Sequence, residues 1–238
     1  IRFVATLRDQ VRPVVAGLQI NFFIYICSIG FNATSGGQAS FVTASPCTKH
    51  QGGVEGTEYF QPLESLAGSR IGTEVADPEY SRDLAGCPTG ARCRRSDASR
   101  AAYDSSVGFT LGGIAQTTGV NDGSLTIAGE FTITGEGGEV VGDVANKIGR
   151  TTGWTAGDIT NTCVTTGVFG SNIVLLCQNF VSAGVGGGDS GSDVFLRTGG
   201  SSRVRLLGVL WGGNGAGTLF VYSPIANIEQ ELGPLTTF

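Results

Sequence analysis

Glycine is the feature that most constrains how this chain can fold. The 238 residues include 39 glycines, scattered at short intervals, and only 15% of the residues are charged. A collagen repeat needs glycine at every third position, and a coiled coil or a disordered chain carries many more charges. Scattered glycines are typical of turns and bulges, and the Val, Ile, Thr and Phe residues between them favour strands. The sequence therefore predicts an all-β protein that is long enough to bury a large core.

The charge balance limits the partners that this protein can bind. Fifteen Lys and Arg residues stand against 20 Asp and Glu residues, which gives a formal net charge of -5 and a sequence pI near 4.9. We expect no nucleic-acid partner, because such a chain has no overall surface for tracking phosphates. The basic residues that cluster are predicted to lie on a solvated loop near a cysteine pair, and they are Arg92, Arg94, Arg95 and Arg100.

The longest apolar stretch is too short to cross a membrane. It covers residues 18–31 and contains Gln19 and Asn21, whereas a transmembrane helix needs about 20 consecutive apolar residues. We therefore expect no membrane span. The sequence contains no Met, even at position 1, and we expect it to begin after an initiator and a removed segment.

The cysteines indicate a disulfide framework. There are six of them, at Cys27, Cys47, Cys87, Cys93, Cys163 and Cys177. No C-x-x-C spacing occurs and His50 is the single histidine, so we expect no metal site. Six cysteines allow fifteen pairings. Neighbours in sequence pair most simply, which predicts the bridges Cys27–Cys47, Cys87–Cys93 and Cys163–Cys177. Disulfides imply an oxidising compartment, so the protein is expected to be secreted and extracellular.

The pattern of apolar and turn-forming residues predicts the order of elements. Residues 14–31 are predicted to form two strands with a turn near Asn21, and 47–93 a long loop-rich excursion. Further strands are predicted at 38–43, 58–60, 107–111 and 125–133, and then one after another from 146, with a hairpin turn at 199–202. Residues 224–231 have the texture of one short C-terminal helix. Two runs of short strands favour two packed β-barrels over a single sandwich.

One loop has the composition that nucleophilic acyl transfer requires. Residues 188–192 read Gly-Asp-Ser-Gly-Ser and lie between two predicted strands. Glycines let the backbone turn tightly around Ser190, and the N–H groups of Gly188 and Ser190 are then able to stabilise an oxyanion. The spacing Gly186-x-Gly188-x-x-Gly191 also matches a dinucleotide fingerprint, but that motif must open a helix, and a strand follows here. We reject that match.

Several other segments carry a resemblance in the right order along the chain. They are PVVAGLQINFFIYICSIGF at 13–31, FVTASPCT at 41–48, Ser96-Asp97-Ala98, KIGRTTGWTAGDITNTC at 147–163, and GDSGS followed by LLGVLWGG. From about 11 to 235 the chain resembles chymotrypsin-like (trypsin-fold) serine proteases of the bacterial secreted type, related to streptogrisin and α-lytic protease. The resemblance implies two antiparallel six-stranded β-barrels, 1–115 and 116–238, that form one functional unit with a cleft between them. It implies no cofactor.

The resemblance also implies roles for individual residues. Ser190 corresponds to the nucleophile and Asp97 to the acid that orients the base, with Asp104 as a rival for that position. Gly188 and Ser190 provide the oxyanion-hole N–H groups. The bridge Cys27–Cys47 resembles the disulfide that braces the base, and Cys163–Cys177 one that braces the second barrel. Asp189 is expected to pair with a cation.

The position of the base departs from the family pattern. Where these proteases have His immediately before the cysteine, this sequence has Pro46, which cannot accept a proton. His50 is a candidate substitute base, and its alternative is a surface histidine on a loop. Lys49 is a weaker candidate, because a lysine on a polar loop has no evident reason to lose its proton.

The resemblance places the specificity pocket between two segments. One is the wall at 182–187, including Ala183 and Gly184, and the other is Leu210, Trp211, Gly212 and Gly213. No acid occurs in 182–187, which predicts a pocket for an apolar or aromatic side chain. The backbones of Leu210 and Gly212 are expected to pair with an extended peptide.

Two residues near this pocket carry open alternatives. Trp211 is either a pocket residue or a core aromatic. Asp193 stands where bacterial relatives usually have Pro, which puts the exit strand of the serine loop in question.

Three functions follow from these residues. The first is a secreted serine-protease homologue, crippled by Pro46, that binds a polypeptide. The second is a serine endopeptidase, preferring apolar P1 residues, that is active when position 46 is histidine. The third is an extracellular binding or structural module built on a protease fold.

Overall fold

The computed structural model describes residues 4–199 and 202–238, and it confirms the all-β prediction. The first half of the chain forms ten strands: β1 (Val14–Ala16), β2 (Gln19–Phe22), β3 (Tyr25–Ser28), β4 (Phe31–Ser35), β5 (Gln38–Ala44), β6 (Glu58–Phe60), β7 (Arg70–Ala76), β8 (Arg92–Arg94), β9 (Ala98–Tyr103) and β10 (Phe109–Thr117). The second half adds β11 (Ile127–Glu136), β12 (Val144–Gly149), β13 (Gly153–Gly167), β14 (Ile173–Ser182), β15 (Asp193–Arg197), β16 (Arg203–Gly213), β17 (Phe220–Pro224) and helix α1 (Ile225–Leu232). Residues 200 and 201 of the predicted hairpin turn lie outside the described residues.

The strands form two sheets that curl into ring-like half-barrels and are not strictly closed. One sheet has seven strands in the order β3-β2-β6-β7-β9-β5-β4. The other follows the order β1-β10-β11-β16-β15-β12-β13-β14-β17, with β8 added beside β14. The sheets are larger than the expected six strands partly because β1 and β8, from the first half of the chain, pair in parallel with strands of the second sheet.

Two local expectations need correction. The turn after β2 lies at 23–24 rather than at Asn21, because the Asn21 amide donates to the carbonyls of Phe23 and Tyr25 and so supports the turn from outside it. The stretch 47–93 is also less irregular than expected, since β7 and most of β8 lie within it. The alternation in β7 is hard to recognise because its Glu74 is buried, where it accepts hydrogen bonds from backbone N–H groups.

A single core joins the two sheets. The largest buried cluster contains Phe41 and Val42 of the first sheet together with Phe195 and Val209 of the second. A smaller cluster, including Val194 and the aromatic residues of β17, fills the second sheet alone. The apolar face of α1 closes the large cluster from the C-terminal end. Because apolar side chains of both sheets share this cluster, the loops that lie where the two sheets meet are held at a fixed distance from each other.

All three predicted disulfides are present: Cys27–Cys47, Cys87–Cys93 and Cys163–Cys177. Within the described residues, no helix combines the length and apolar character that crossing a membrane requires.

Candidate active site

The serine loop runs from the end of β14 to the start of β15, and glycines allow its shape. Gly188 and Gly191 have φ angles of +98° and +88°, which favour glycine. A Cβ atom on Gly191 would lie 2.1 Å from the Thr43 Oγ1 atom, so no larger residue fits against the end of β5. Ser28 fastens the loop to the first sheet: its N–H donates to the Ser190 carbonyl at 2.9 Å and its hydroxyl donates to the Gly188 carbonyl at 3.0 Å.

The donors predicted for an oxyanion hole are unengaged. Within the described part of the chain, the backbone N–H groups of Gly188 and Ser190 make no hydrogen bond, and neither does the Ser190 hydroxyl. Ser190 is half-buried and lines an open depression. Among the described residues, these N–H groups and the hydroxyl therefore have no partner that a ligand would have to displace.

Asp189 is held by a buried ion pair with Lys147. Both side chains are fully buried, and the Lys147 Nζ atom lies 3.3 Å from the Asp189 Oδ2 atom. The carboxylate also accepts hydrogen bonds from the N–H groups of Thr151, Thr152 and Gly186 and from the Thr152 hydroxyl. Burial lowers the pKa of Lys147, and the nearby carboxylate opposes that change. This pair fixes the loop beneath Ser190, and Lys147 is the cation that the sequence alone did not identify.

Asp97 is buried directly before β9, and its hydrogen bonds come from other side chains. Its carboxylate accepts from the Tyr80 hydroxyl and, at 3.2 and 3.3 Å, from the Gln51 amide. Burial raises the pKa of Asp97 to about 6. The rival Asp104 lies elsewhere, at the surface in an ion pair with Arg70. Gln51 and Tyr80 were not singled out by the sequence, because neither belongs to the motifs that carry the resemblance.

Pro46 lies between the acid and the serine. It belongs to a 3₁₀ turn, Ser45–Cys47, that directly follows β5. The Ser45 N–H donates to the Asp97 carbonyl at 2.8 Å, because Ala44 and Ala98 are paired across the sheet. On the other side, the Cys47 Sγ atom lies 3.5 Å from the Ser190 carbonyl oxygen. The two chain neighbours of Pro46 therefore contact Asp97 and Ser190, and the Pro46 side chain itself has no proton acceptor.

The two candidate substitute bases lie apart from this arrangement. His50 and Lys49 are both exposed. The His50 N–H donates to Glu55 and the Lys49 N–H to Thr57, which fixes their backbone on the loop after the 3₁₀ turn. Neither side chain lines the depressions at Ser190 and Asp97.

A chain of hydrogen bonds connects Trp211 to Asp97. The Trp211 indole N–H donates to the Gln178 side-chain oxygen at 2.9 Å, and the Ser223 hydroxyl donates to the same oxygen at 2.7 Å. The Asp97 N–H in turn donates to the Ser223 hydroxyl at 2.9 Å. Trp211 is half-buried. It packs against the large core and lines the groove beside Asp97, not the pocket beside Ser190.

The prediction that the clustered arginines lie on a solvated loop is wrong for Arg94, which is buried in β8, and for Arg100, which is half-buried in β9. Arg92 is exposed and Arg95 is half-buried. The Arg94 guanidinium is 1% exposed and forms ion pairs with Asp77, at 2.7 Å, and Glu231, at 3.1 Å. It also lies 5.2 Å from the centre of the Tyr80 ring. Two acids distant in sequence satisfy this cation, and it supports the residues behind Asp97.

Two depressions meet at the site. The serine pocket has a volume of about 300 Å³ and is lined by Val185, Gly186, Gly187, Ser190, Leu210, Gly212, Gly213, Asn214, Gly215 and Gly217. The acid groove has a volume of about 490 Å³, and its lining includes Pro46, Gln51, Asp97, Val168, Phe169, Phe180 and Trp211. Gly212, Gly213 and Asn214 line both. No charged side chain lines the serine pocket.

Two predicted pocket residues lie outside the serine pocket, and the backbone contacts of a third differ from the prediction. Ala183 is buried in the smaller core and Gly184 accepts a hydrogen bond from Thr155, and both border a separate depression. The wall of the serine pocket is formed instead by the following residues, 185–187. Leu210 lines the pocket, but its N–H and carbonyl are already bonded to the serine loop. Beyond it, the pairing with β17 is irregular at Trp211, and Gly212 and Gly213 pair with β17 and, among the described residues, with no other strand. One edge of β16 is therefore open here.

Asp193 does not distort the exit from the serine loop. It opens β15 in regular antiparallel pairing with Ile148 and Val209. Its carboxylate is fully buried and has no hydrogen-bond partner among the described residues. Burial raises the pKa of Asp193 well above its ordinary value, which favours the protonated form.

Among the described residues, no group of three or more His, Cys, Asp or Glu side chains is arranged to hold a metal ion.

Comparison with known proteins gives matches among solved structures only. No protein-family model matches the chain, and neither does any curated protein. Thermobifida fusca protease A is 25% identical, with a TM-score of 0.67, over 94% of this chain and 99% of that chain. The Nocardiopsis protease is 23% identical, with a TM-score of 0.69, over 94% and 97%. A glutamic-acid-specific serine protease, described as using a histidine triad in substrate binding, is 23% identical with a TM-score of 0.68 over 94% and 100%. The chain therefore has the trypsin-like fold of the bacterial chymotrypsin-like serine proteases.

Proposed function

We propose that this protein is a secreted serine-protease homologue that has lost efficient proteolysis and binds an extended polypeptide in the cleft beside Ser190. Pro46 carries this proposal, because it stands between Asp97 and Ser190 where a base would have to act. Three disulfides support an oxidising, extracellular setting. We assign the two lobes of the unit to 1–115 and 116–238.

The loss of catalysis follows from the chemistry of position 46. A serine hydroxyl needs a base to remove its proton, and removing the base from a serine protease lowers turnover by about 10⁶-fold. Rates about 10³ to 10⁴ above water can survive from the oxyanion hole and binding alone. The acid has also acquired other partners, since Tyr80 and Gln51 both donate to the Asp97 carboxylate.

The binding role rests on features that do not depend on a base. The serine pocket is open, uncharged and large enough for one apolar side chain. Beside it, 211–213 present an open strand edge with which an extended peptide can pair. We therefore assign Ser190, Leu210, Gly212 and Gly213 to ligand contact, with Gly188 and Ser190 donating to the ligand carbonyl.

The test is a pair of measurements on the protein as it stands. Peptides that end in Phe should bind more tightly than matched peptides that end in Arg, measured by calorimetry. A fluorophosphonate probe should label Ser190 only slowly, because the reagent reports an activated serine. Rapid labelling would overturn the loss of catalysis, and tighter binding of the Arg peptides would overturn the pocket assignment.

A second candidate function is a serine endopeptidase that becomes active when position 46 is histidine. The unengaged N–H groups of Gly188 and Ser190 favour it, since they are the arrangement that acyl transfer uses. If restoring histidine has no effect on a normally folded protein, the third alternative, a binding or structural module, is the better description.

A further inference from the structure

The space over Pro46, where a base would act, can be reached by a ligand from both the serine pocket and the acid groove. The serine pocket contains Ser190 and the acid groove contains Asp97, and the two share the lining formed by 212–214. Pro46 itself is exposed and lines the acid groove. A ligand that lies along the open edge of 211–213 therefore passes both depressions, and one of its side chains can enter the space over Pro46.

The chemistry of this space selects one side chain. The group must take a proton from the Ser190 hydroxyl and must be held by the Asp97 carboxylate. Among side chains, a neutral imidazole combines an acceptor nitrogen, an N–H donor on the other side of the ring and a pKa near 6.5. Protonated lysine and arginine offer only donors, and an ionised acid would repel Asp97.

The walls of the acid groove suit a flat ring. Trp211, Phe180 and Val168 supply apolar surface, and Phe169 stands fully exposed at its edge. Aromatic faces bind imidazole and imidazolium rings by stacking and by cation–π contact. The Gln51 amide lies 3.2 and 3.3 Å from the two Asp97 oxygens, long distances for a bond to a carboxylate, so an imidazole N–H can displace it.

We propose that the missing base is supplied by the ligand: a polypeptide with an apolar residue in the serine pocket places its own histidine in the acid groove, where it activates Ser190. This inference rests on the proposed function, because it uses the same peptide-binding cleft. Proteolysis is then conditional on the sequence of the bound chain.

The reaction balances without any further reagent. The Ser190 oxygen bonds to the carbonyl carbon of the ligand while the imidazole takes the hydroxyl proton. The carbon–nitrogen bond of the scissile peptide then breaks, and the imidazolium returns that proton to the leaving amine. When the histidine lies on the acyl side of the scissile bond, it stays bound after the amine has left. The imidazole then takes a proton from water while the water oxygen bonds to the acyl carbon. It returns that proton to the departing Ser190 oxygen, which releases the acid and regenerates Ser190.

Small imidazoles test the base site without requiring a peptide to bind. We would measure the rate at which an aryl ester of an N-blocked phenylalanine acylates Ser190, by intact-protein mass spectrometry, at rising concentrations of 4-methylimidazole. The control compound is 1-methylimidazole, which keeps a basic nitrogen but has no N–H for Asp97 to hold. Ser190→Ala gives the background, since imidazoles also react with esters in solution.

The inference predicts a clear difference between the two compounds. Acylation of Ser190 should rise at least about 100-fold and saturate with 4-methylimidazole, which is within the usual contribution of a general base. It should rise far less with 1-methylimidazole, and the advantage of 4-methylimidazole should disappear in Asp97→Asn. A small, linear rise that is equal for both compounds would overturn the inference.

Matched peptides separate this inference from the proposed function. In each peptide one Phe is retained and a His or a Gln is placed at one of the three positions on either side of it. Binding of the Gln peptides tests whether the cleft binds an extended polypeptide, as the proposed function requires. Cleavage of a His peptide at least about tenfold faster than its Gln partner, at one position only, tests the base. Peptides that bind but show no advantage for His would overturn the inference and leave the proposed function standing.

Discussion

The two sides of the cleft are built in different ways. On the serine side, glycine backbone geometry and the buried pair of Lys147 and Asp189 hold the loop, and the N–H groups that face the cleft are unengaged. On the acid side, both oxygens of Asp97 accept hydrogen bonds from side chains, and the adjoining position in the chain is Pro46. On the serine side two backbone N–H groups have no partner among the described residues, whereas on the acid side the carboxylate is already hydrogen-bonded within the protein.

The difference shows which part of such a site a single residue can alter. The serine loop depends on several backbone contacts at once, including Gly191 against Thr43 and Ser28 against Ser190. The acid side depends on side chains that reach Asp97 from separate loops. The side-chain partners of Asp97 and the backbone contacts of the serine loop are therefore separate, so a change of side chain at position 46 need not move Ser190.

The largest expected effect comes from restoring a base. Pro46→His combined with Gln51→Ala should raise esterase and peptidase activity by about 10³-fold or more, because the imidazole then has Ser190 on one side and an available Asp97 on the other. Pro46→His alone should gain less, since Gln51 still occupies the carboxylate. Activity should rise with pH through about 6 to 7.5, as an imidazole titrates.

The control for this experiment is the same pair of changes with Ser190→Ala, which should be inactive. A double variant that folds normally, by circular dichroism, but remains inert would contradict the view that the serine side is intact.

The second prediction concerns the ion pair that supports the serine side. Lys147→Met should lower the free energy of unfolding by about 3 to 5 kcal/mol, because it leaves Asp189 as a buried charge without its cation. Urea unfolding measures this. The control is Arg70→Met, which breaks surface ion pairs with Glu58 and Asp104 and should cost about 1 kcal/mol or less. Equal losses for the two variants would show that the buried pair is not what fixes the loop.

The third prediction uses the titration of the acid side. The pKa of Asp97 rises from an ordinary value of 3.8 to about 6, mainly because the group is buried. The folded protein therefore binds this proton more tightly than the unfolded chain, so stability falls as pH rises from about 4 to about 6. The loss attributable to Asp97 is about 3 kcal/mol at most.

Unfolding curves of Asp97→Asn measure that loss. This variant should lose less stability than the unmodified protein over the same pH range, while Asp104→Asn, at the half-buried acid that pairs with Arg70, serves as the control. If the stability of both variants changes with pH as that of the unmodified protein does, Asp97 does not change its protonation state between about pH 4 and 6.

The smallest effect is expected at Trp211. Trp211→Phe removes the hydrogen bond to Gln178 and should lower stability by about 1 kcal/mol. Trp154→Phe is the control, because it removes an indole hydrogen bond to Asn146 away from the cleft. Trp154 is buried in the large core, so this variant should cost more stability than Trp211→Phe. Only Trp211→Phe should weaken peptide binding. Equal binding by both variants would place Trp211 outside the ligand site.

Much of this protein can be predicted from local sequence signals. The all-β class, the three disulfides and the C-terminal helix were all predicted. The motif Gly-Asp-Ser-Gly-Ser predicted a tight loop, and the sequence shows directly that Pro46 has no proton-accepting side chain. These features follow from the sequence because each depends on residues close together in the chain: glycines set turns, and the spacing of apolar residues sets strands.

Only the tertiary structure decided the partners of the charged groups. Gln51 and Tyr80 reach Asp97 across 46 and 17 residues of chain, and Lys147 reaches Asp189 because β12 pairs with β15. The shift of the pocket wall from Ala183 and Gly184 to the residues after them has the same origin, since sheet pairing decides which side chains face a cleft. Contacts of this kind depend on how distant strands are paired, and no local pattern of residue types encodes that pairing.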